Sequence, residues 1–163
     1  VRSMQSNKFD DATMTRFTKT EFRRDPRGNR QGIRMDFVGD GFQSGGQLNI
    51  VSEVTIAGDI QITGDGTPFV LMHECQTTGG YPRIGMILPC DLNKVAQAPV
   101  GSLLRFELLT LEEGTAVQAC ANAVLSGLRK SVKPLVRDVS SIQNLLSYQL
   151  ISGAISAKDT PLD

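Results

Sequence analysis

A short polar segment, QTTGGYP at residues 76–82, has the composition of a ligand-binding loop, and it lies between the apolar runs PFVLMHEC and RIGMILP. Paired glycines let a ligand approach the backbone, and successive backbone amides in such a turn can bind an anion. The neighbouring amide, hydroxyl and phenol groups can hydrogen-bond to a small polar molecule. A Gly-Gly turn is also a common plain connection, so the residues alone leave both interpretations open. The candidate binding residues are Gln76, Thr77, Thr78, Gly79, Gly80 and Tyr81.

A second candidate is DPRGNRQGIR at residues 25–34, where Arg30 and Arg34 flank a turn that contains glycine. The guanidinium group is a rigid fork of donors that suits a carboxylate, a phosphate or a ureido oxygen. Arg34 is expected on the polar face of the strand that follows. An ordinary solvated hairpin explains the same residues without any ligand.

The familiar catalytic residue types are sparse. The single histidine, His73, lies inside the apolar run VLMHEC, so we predict a satisfied structural side chain rather than a general base. We also predict that Cys75 and Cys120 behave as small buried hydrophobes. Three dispersed cysteines and one histidine support neither a zinc cluster nor a disulfide framework. The sequence therefore assigns no catalytic residue and no metal ligand.

The composition is that of one soluble domain of 163 residues. Lys and Arg together number 17, as do Asp and Glu, so no net field draws the chain to nucleic acid or to an anionic membrane. No apolar run reaches the roughly 18 residues that span a bilayer, and the N-terminus lacks the apolar core of a signal peptide. These features favour the cytoplasm, and because the chain begins at Val1 rather than Met we expect a fragment.

Apolar residues that alternate over short runs, separated by Gly, Pro, Asn and Asp, predict mainly β structure in the first two-thirds. In GIRMDF, residues 32–37, the apolar side chains share one face, and LLRFELL at residues 103–109 alternates in the same way. DIQIT and TPFVLM predict a hairpin around the turn at residues 64–66. Many short strands with glycine-rich turns favour a closed barrel or a sandwich.

Short helices are predicted over residues 11–18 and 92–97, the second with Asp91 as its N-cap. A capping box at residues 110–113 opens a longer helix, which Pro134 ends, and a second box at residues 140–143 opens another. The apolar residues at helical spacing in the longer helix are Val117, Ala121, Val124, Leu128 and Val132. We expect a helical appendage that docks on the barrel or on a partner.

The ordered set of motifs SE, GDIQ, GDG, QTTGGYP and DL, preceded by NRQGIRM at residues 29–35, resembles one family. This is the biotin-dependent carboxyltransferase domain family, in its C-terminal half. It includes allophanate hydrolase subunit 2-like proteins, KipA-like proteins, the group formed by the C subunit of 5-oxoprolinase, and the carboxyltransferase part of urea amidolyase. The chain departs from the family pattern at Val54, where glycine is usual, and at Glu74-Cys75, where Asp-Arg or Asp-Cys is common.

The resemblance implies a cyclophilin-like closed β-barrel with short helices over residues 1–113. Residues 114–163 lie beyond the matched part and form the predicted C-terminal helical extension. The resemblance also implies that a second lobe, absent from this sequence, precedes Val1.

The resemblance implies a subunit that acts on an amide or lactam within a complex, either in urea carboxylation or in ATP-dependent hydrolysis of 5-oxoproline. A paired carboxyltransferase-like subunit, KipI-like or equivalent to the B subunit of 5-oxoprolinase, would be a partner. The chain has no biotin attachment sequence, so carboxybiotin would arrive on a carrier domain, and ATP would act through the complex. The implied substrate-binding residues are the segment at residues 76–81 together with Asn29, Arg30 and Arg34.

The same family also implies an alternative without catalysis. KipA-like proteins are associated with relieving the inhibition of a sporulation sensor kinase by a paired homologue. In that case the lobe is a regulatory binding module, and the residues at positions 76–81 are structural.

Overall fold

The structure is a computed structural model that describes residues 1–45 and 51–133. Within these residues it is mostly antiparallel sheet with a few helices. The helices are α1 (Asp11–Lys19), α2 (Pro89–Gln97) and α3 (Leu111–Ser131), and a short 3-10 turn spans Ser6–Lys8. The strands are β1 (Phe22–Arg24), β2 (Gly32–Asp36), β3 (Glu53–Val54), β4 (Asp59–Ile62), β5 (Pro68–Leu71), β6 (Thr78–Gly79), β7 (Arg83–Met86) and β8 (Leu103–Leu104).

The main sheet has six strands in the order β7-β4-β5-β2-β1-β8. The predicted hairpin around residues 64–66 is confirmed, because β4 and β5 pair with Ile60 opposite Val70. Gly66 in its turn has a φ of 80°, which favours glycine. Strands β3 and β6 pair separately, with Glu53 opposite Gly79. We call this two-stranded pair the β3–β6 ribbon.

An aromatic cluster lies in the core. The ring of Phe22 lies 5.0 Å from that of Phe17 on α1 and 5.3 Å from that of Phe106, distances at which aromatic pairs attract. Strand β2 alternates as predicted, with Ile33 and Met35 buried against this core and the intervening polar residues half-buried. The period of two in the sequence therefore orients the strand correctly.

Helix α1 begins as predicted, because the Asp10 carboxylate accepts a hydrogen bond of 2.7 Å from the backbone N–H of Thr13. The prediction for α2 was wrong at its start, since Leu88 rather than Asp91 is the N-cap residue. Proline at the first helical position has a φ suited to the helix and no N–H to satisfy, so Pro89 starts α2 earlier. Asp91 lies within the first turn instead.

The predicted strand at residues 103–109 is shorter than expected. Only Leu103 and Leu104 pair, because their partner β1 is itself three residues long. Phe106 and Leu108 still pack against the core beyond the end of the ladder. A closed barrel is not present in the described sheet, since β7 and β8 are its two edges. The 1–113 domain boundary stays a prediction.

The capping box at the start of α3 is confirmed, with Glu113 N–H donating to Thr110 Oγ1 at 3.2 Å and Thr110 N–H to Glu113 Oε2 at 2.8 Å. The predicted apolar face of this helix is exposed at Val117 and Val124. Cys120 is exposed as well, so its predicted burial was wrong. Among the described residues of α3, only Gly114 is buried. Pro134 and the box at residues 140–143 lie outside the described residues.

The length and hydropathy of each helix decide whether it could cross a membrane. None of the helices in the described ranges combines the length and the apolar character that crossing a bilayer requires.

Replacing Phe22 with alanine should lower the free energy of unfolding by about 3–5 kcal/mol, because the change leaves a cavity among packed rings. Val38→Ala is the control, since this side chain is 99% exposed and its loss should change stability by less than about 0.5 kcal/mol. Urea unfolding measures both values. Equal losses for the two variants would contradict this placement of the core.

Candidate functional site

The segment at residues 76–82 is more than a turn, because part of it is the strand β6 of the β3–β6 ribbon. Its backbone is tied to the strand opposite: Thr55 N–H donates to the Thr77 carbonyl at 3.0 Å, and the Thr55 hydroxyl donates to the Gln76 carbonyl. Thr55 is buried, so these bonds are shielded from water. The ribbon therefore holds the backbone of the segment in one conformation.

The polar side chains of this segment face outward. Gln76, Thr77, Thr78 and Tyr81 are exposed, and the glycines at positions 79 and 80 are half-buried. Hydroxyl and phenol groups on a fixed backbone are available to a ligand without losing internal bonds that hold the fold. The structure thus leaves the polar side chains of the predicted segment at residues 76–81 accessible to solvent.

A buried glutamine lies beneath the ribbon. Gln61 on β4 is 3% exposed, and its Oε1 accepts a hydrogen bond of 3.1 Å from Gln76 Nε2. Its Nε2 has no hydrogen-bond partner among the described residues. A Cβ at position 79 would lie 2.6 Å from that nitrogen, so Gly79 is required for the ribbon to approach so closely.

A half-buried guanidinium anchors the β3 strand of the ribbon. Arg83 Nη2 lies 2.7 Å from Glu53 Oε2, and Arg83 Nη1 lies 3.2 Å from Asp59 Oδ2. Gln5 completes the group, since its Nε2 donates to Glu53 at 2.7 Å and its Oε1 accepts from Arg83 N–H at 2.9 Å. Asp59 is the buried charge of this group, and a buried charge is tolerated when it is paired and hydrogen-bonded in this way. The network joins the N-terminal residues, the ribbon and the main sheet.

Asn29 and Arg30 lie in the turn before β2. Asn29 Oδ1 accepts hydrogen bonds from the backbone N–H groups of Gln31 at 2.8 Å and Gly32 at 3.1 Å, so this side chain shapes the turn. Arg30 lies 3.1 Å from Glu74, whose own N–H donates to the Arg30 carbonyl. The structure therefore places Arg30, with its exposed guanidinium, against a residue two positions before Gln76.

Arg34 lies toward the opposite end of the same strands. It is opposite Phe69, near the turn of the β4–β5 hairpin, whereas Gly32 is opposite Leu71. Its Nε lies 3.1 Å from Asp36, and its Nη1 lies 3.7 Å from Asp65. The register thus separates Arg34 from the ribbon residues, and its guanidinium faces carboxylates of the chain itself.

Asp25 is the buried centre of that carboxylate cluster, at 3% exposure. Arg27 donates to it from Nε at 2.8 Å and from Nη2 at 2.6 Å. These bonds hold the pKa of Asp25 well below its usual 3.8, in opposition to the burial that raises it. These paired charges lie beside the turn of the β4–β5 hairpin and are not part of the β3–β6 ribbon.

His73 was predicted to be a satisfied structural side chain inside an apolar run, but the strand does not extend to it. Strand β5 ends at Leu71, and the chain then turns, with Cys75 N–H donating to the Met72 carbonyl at 3.0 Å. His73 lies on the outside of this turn and is exposed, and Cys75 is half-buried rather than buried. In the ranges 1–45 and 51–133, no three His, Cys, Asp or Glu side chains form a group that could hold a metal ion.

Sequence reasoning missed four polar residues beneath the ribbon. Two of them, Asp59 and Gln61, alternate with the core residues Ile60 and Ile62 on β4. That alternation was the available signal, because polar residues on a strand buried on both faces need specific partners. The other two, Gln5 and Arg83, are distant in sequence from β4, and no local pattern joins them to it.

The comparisons with known proteins agree with this architecture. Residues 1–108 match the family model "Carboxyltransferase domain, subdomain A and B". The chain belongs to this family. The resemblance found in the sequence is therefore confirmed, including its link to the C subunit of 5-oxoprolinase and the urea amidolyase-related proteins.

Two curated members of the carboxyltransferase domain family are similar over about two-thirds of the chain. The C subunit of 5-oxoprolinase from Escherichia coli is 34% identical over 107 residues, which are 66% of this chain and 34% of that protein. Its counterpart in Haemophilus influenzae, of the same name, is 33% identical over 104 residues, 64% of this chain and 33% of its own length. The chain thus spans about a third of the length of these curated relatives.

A solved structure, the urea amidolyase of K. lactis, matches the fold with a TM-score of 0.63. The identity is 19%, and the match covers 75% of this chain and 8% of that one. This likeness concerns the fold of the carboxyltransferase domain.

Gly79→Ala should destabilise the protein by about 1–3 kcal/mol, because the new methyl group meets the buried Gln61 amide and must displace it or the ribbon. Gly64→Ala is the matched control, since a Cβ there meets nothing within 4 Å. Thermal and urea unfolding measure both variants. If Gly79→Ala is as stable as Gly64→Ala, the close approach of the ribbon to β4 is wrong.

Stability should fall as the pH falls below 3.8, partly because of Asp25. Its pKa is depressed in the folded state, so the unfolded state binds more protons in this range, and the stabilisation present above 3.8 is lost toward the folded-state pKa. Asp25→Asn should lower stability at neutral pH and flatten the dependence between roughly pH 2 and pH 5. Asp40→Asn is the control, because that residue is exposed. A slope unchanged in Asp25→Asn, measured by urea unfolding at each pH, would refute the assignment.

Proposed function

We propose that this chain is the C-terminal lobe of a carboxyltransferase-like subunit that acts on an amide or lactam within a multi-subunit complex. The observation that carries the proposal is the exposed polar surface at residues 76–81, fixed by the β3–β6 ribbon above a buried polar layer. The two relatives that are named as 5-oxoprolinase components support a lactam as the substrate class. A subunit of such a complex needs to hold an unreactive amide in place rather than to supply every reacting group.

The exposed hydroxyls of Thr77 and Thr78 and the glycine-rich backbone beside them supply hydrogen-bond donors for a carbonyl oxygen that gains negative charge. Arg30 lies at the same end of the molecule, and its fork of donors suits a substrate carboxylate. Tyr81 offers a flat face and a hydroxyl at the rim. In this proposal the segment stabilises charge, and Arg30 and Tyr81 orient the substrate.

Asn29 and Arg34 have supporting roles in the proposed site. Asn29 fixes the turn that carries Arg30. Arg34 belongs to the carboxylate cluster near the hairpin turn, so it stabilises the strands that carry the site. We assign no general base within the lobe.

The proposed site is completed by other parts of the complex. A groove of about 300 Å³ lies between the edge strand β7 and the segment Leu104–Leu109, and we propose that the cyclophilin-like barrel closes across it. A preceding lobe and a paired subunit would complete the substrate site, with ATP acting through that complex. When carboxybiotin is delivered by a carrier domain, it supplies the carboxyl group, and this lobe holds the amide that receives it.

The proposal is tested by ATP-dependent turnover of 5-oxoproline and of urea by the full-length protein with its partner subunits. Arg30→Ala and Tyr81→Phe should each lower kcat/KM by roughly tenfold or more, because each removes a contact that orients the substrate. Arg23→Ala is the matched control, since this exposed arginine also makes a surface contact, a hydrogen bond of 3.2 Å to the carbonyl of Gly101, and does not line the groove. It should leave turnover unchanged.

Two results would overturn different parts of the proposal. If the assembled complex turns over neither substrate, the enzymatic role is wrong and a regulatory module is favoured. If turnover is present but Arg30→Ala and Tyr81→Phe behave like Arg23→Ala, the enzymatic role stands and the residues are wrongly assigned.

A further inference from the structure

The amide of Gln61 is an unusual buried group. It is 3% exposed on β4, yet its Nε2 has no hydrogen-bond partner among the described residues. Its neighbour on the same face of the strand, Asp59, is satisfied by Arg83 at 3.2 Å and by the N–H of Ile56 at 3.0 Å. A buried donor without a protein partner costs free energy unless a water or a ligand accepts its hydrogen bond, so this amide nitrogen is a candidate to bind one.

The chemistry of the group limits what could satisfy it. A primary amide presents a donor and an acceptor side by side in one plane. The complementary group carries an N–H and a C=O on the same side, as a primary amide such as the Gln76 side chain does, and as a secondary amide does only when it is cis. Open-chain secondary amides are almost always trans, whereas the ring of a lactam or a cyclic urea enforces the cis form.

Half of this pairing is already present. Gln76 Nε2 donates to Gln61 Oε1 at 3.1 Å, so the acceptor of Gln61 is occupied and its donor is not. Gln76 is exposed and belongs to the surface at residues 76–81, so its amide lies between that surface and the buried layer. A cyclic amide in place of the Gln76 amide would donate to Gln61 Oε1 and accept from Gln61 Nε2.

We infer that Gln61 is the specificity-determining residue of the site and binds the cis amide of a lactam or a cyclic urea, with the Gln76 side chain as an internal substitute when no ligand is bound. This inference rests on the proposed function and names the group that the site recognises. The neighbouring Gly79 leaves no side chain between the ribbon and the Gln61 amide.

The experiment is an NMR titration of the 163-residue chain with three small rings. The lactam 2-pyrrolidinone and the cyclic urea 2-imidazolidinone should both shift the side-chain amide signals of Gln61 and the backbone signal of Gly79. N-methyl-2-pyrrolidinone lacks the N–H, so its Kd should be about tenfold weaker or more, because a site built around a hydrogen bond rejects the analogue that lacks it. The tighter of the first two rings identifies lactam or ureido chemistry as the source.

Variants test the role of each glutamine. Gln61→Leu keeps a similar volume, removes the buried unpaired donor and should lose ring binding by about tenfold or more with no loss of thermal stability. Gln76→Ala should retain or tighten binding, since it removes the internal substitute. Gln43→Leu is the matched control at an exposed position and should bind like the unaltered chain.

The inference is overturned if N-methyl-2-pyrrolidinone binds as tightly as 2-pyrrolidinone, or if no ring shifts the Gln61 signals at millimolar concentrations. It is also overturned if Gln61→Leu binds normally, or if Gln76→Ala loses binding as fully as Gln61→Leu. These ring-binding results are measured independently of turnover by the complex. Ring binding at Gln61 without turnover in the complex would refute the proposed function alone, and turnover with unaltered KM in Gln61→Leu would refute this inference alone.

Discussion

The half-buried guanidinium of Arg83 organises the region of the molecule that carries the candidate site. It lies between Glu53 on the ribbon and Asp59 on the main sheet, so a single cation neutralises carboxylates from two separate sheets. Removing it would leave the buried Asp59 carboxylate without its cation, where an uncompensated charge is costly, whereas the exposed Glu53 carboxylate would remain solvated by water. Gln5 extends the network to the N-terminal residues. The ribbon, only two residue pairs long, depends on such side-chain contacts for its position.

Strand β4 has two buried faces of opposite character. Ile60 and Ile62 face the apolar core, and Asp59 and Gln61 face the ribbon. The apolar face requires only volume and burial, whereas the polar face requires a partner for every donor and acceptor. The polar face of β4 therefore holds the exposed segment at residues 76–81 in place. The unpaired amide of Gln61 on this face indicates a position where a further partner could bind.

The chain spans about a third of the length of its curated relatives. Within the described residues, its main sheet ends in two edge strands, β7 and β8. The N-terminal residues cover part of the β7 edge, because Val1 exchanges hydrogen bonds with Met86 at 2.8 and 2.9 Å. Pairing at an edge satisfies backbone groups that would otherwise be exposed, which is how sheets avoid unwanted association.

The sequence by itself determined the local elements and the family. The period of two in β2, the Gly66 turn and the box at Thr110–Glu113 depend on neighbouring residues, so their patterns were sufficient. The ordered motifs identified the carboxyltransferase domain family in the same way. Only the tertiary structure decided which residues share a surface. Strand register moved Arg34 toward the hairpin turn and left Arg30 near Gln76, and the exposed position of His73 followed from where β5 ends. The layer of Gln5, Asp59, Gln61 and Arg83 could not be predicted, because its contacts join residues far apart in the chain, and side-chain pairing across such distances depends on register and packing rather than on local pattern.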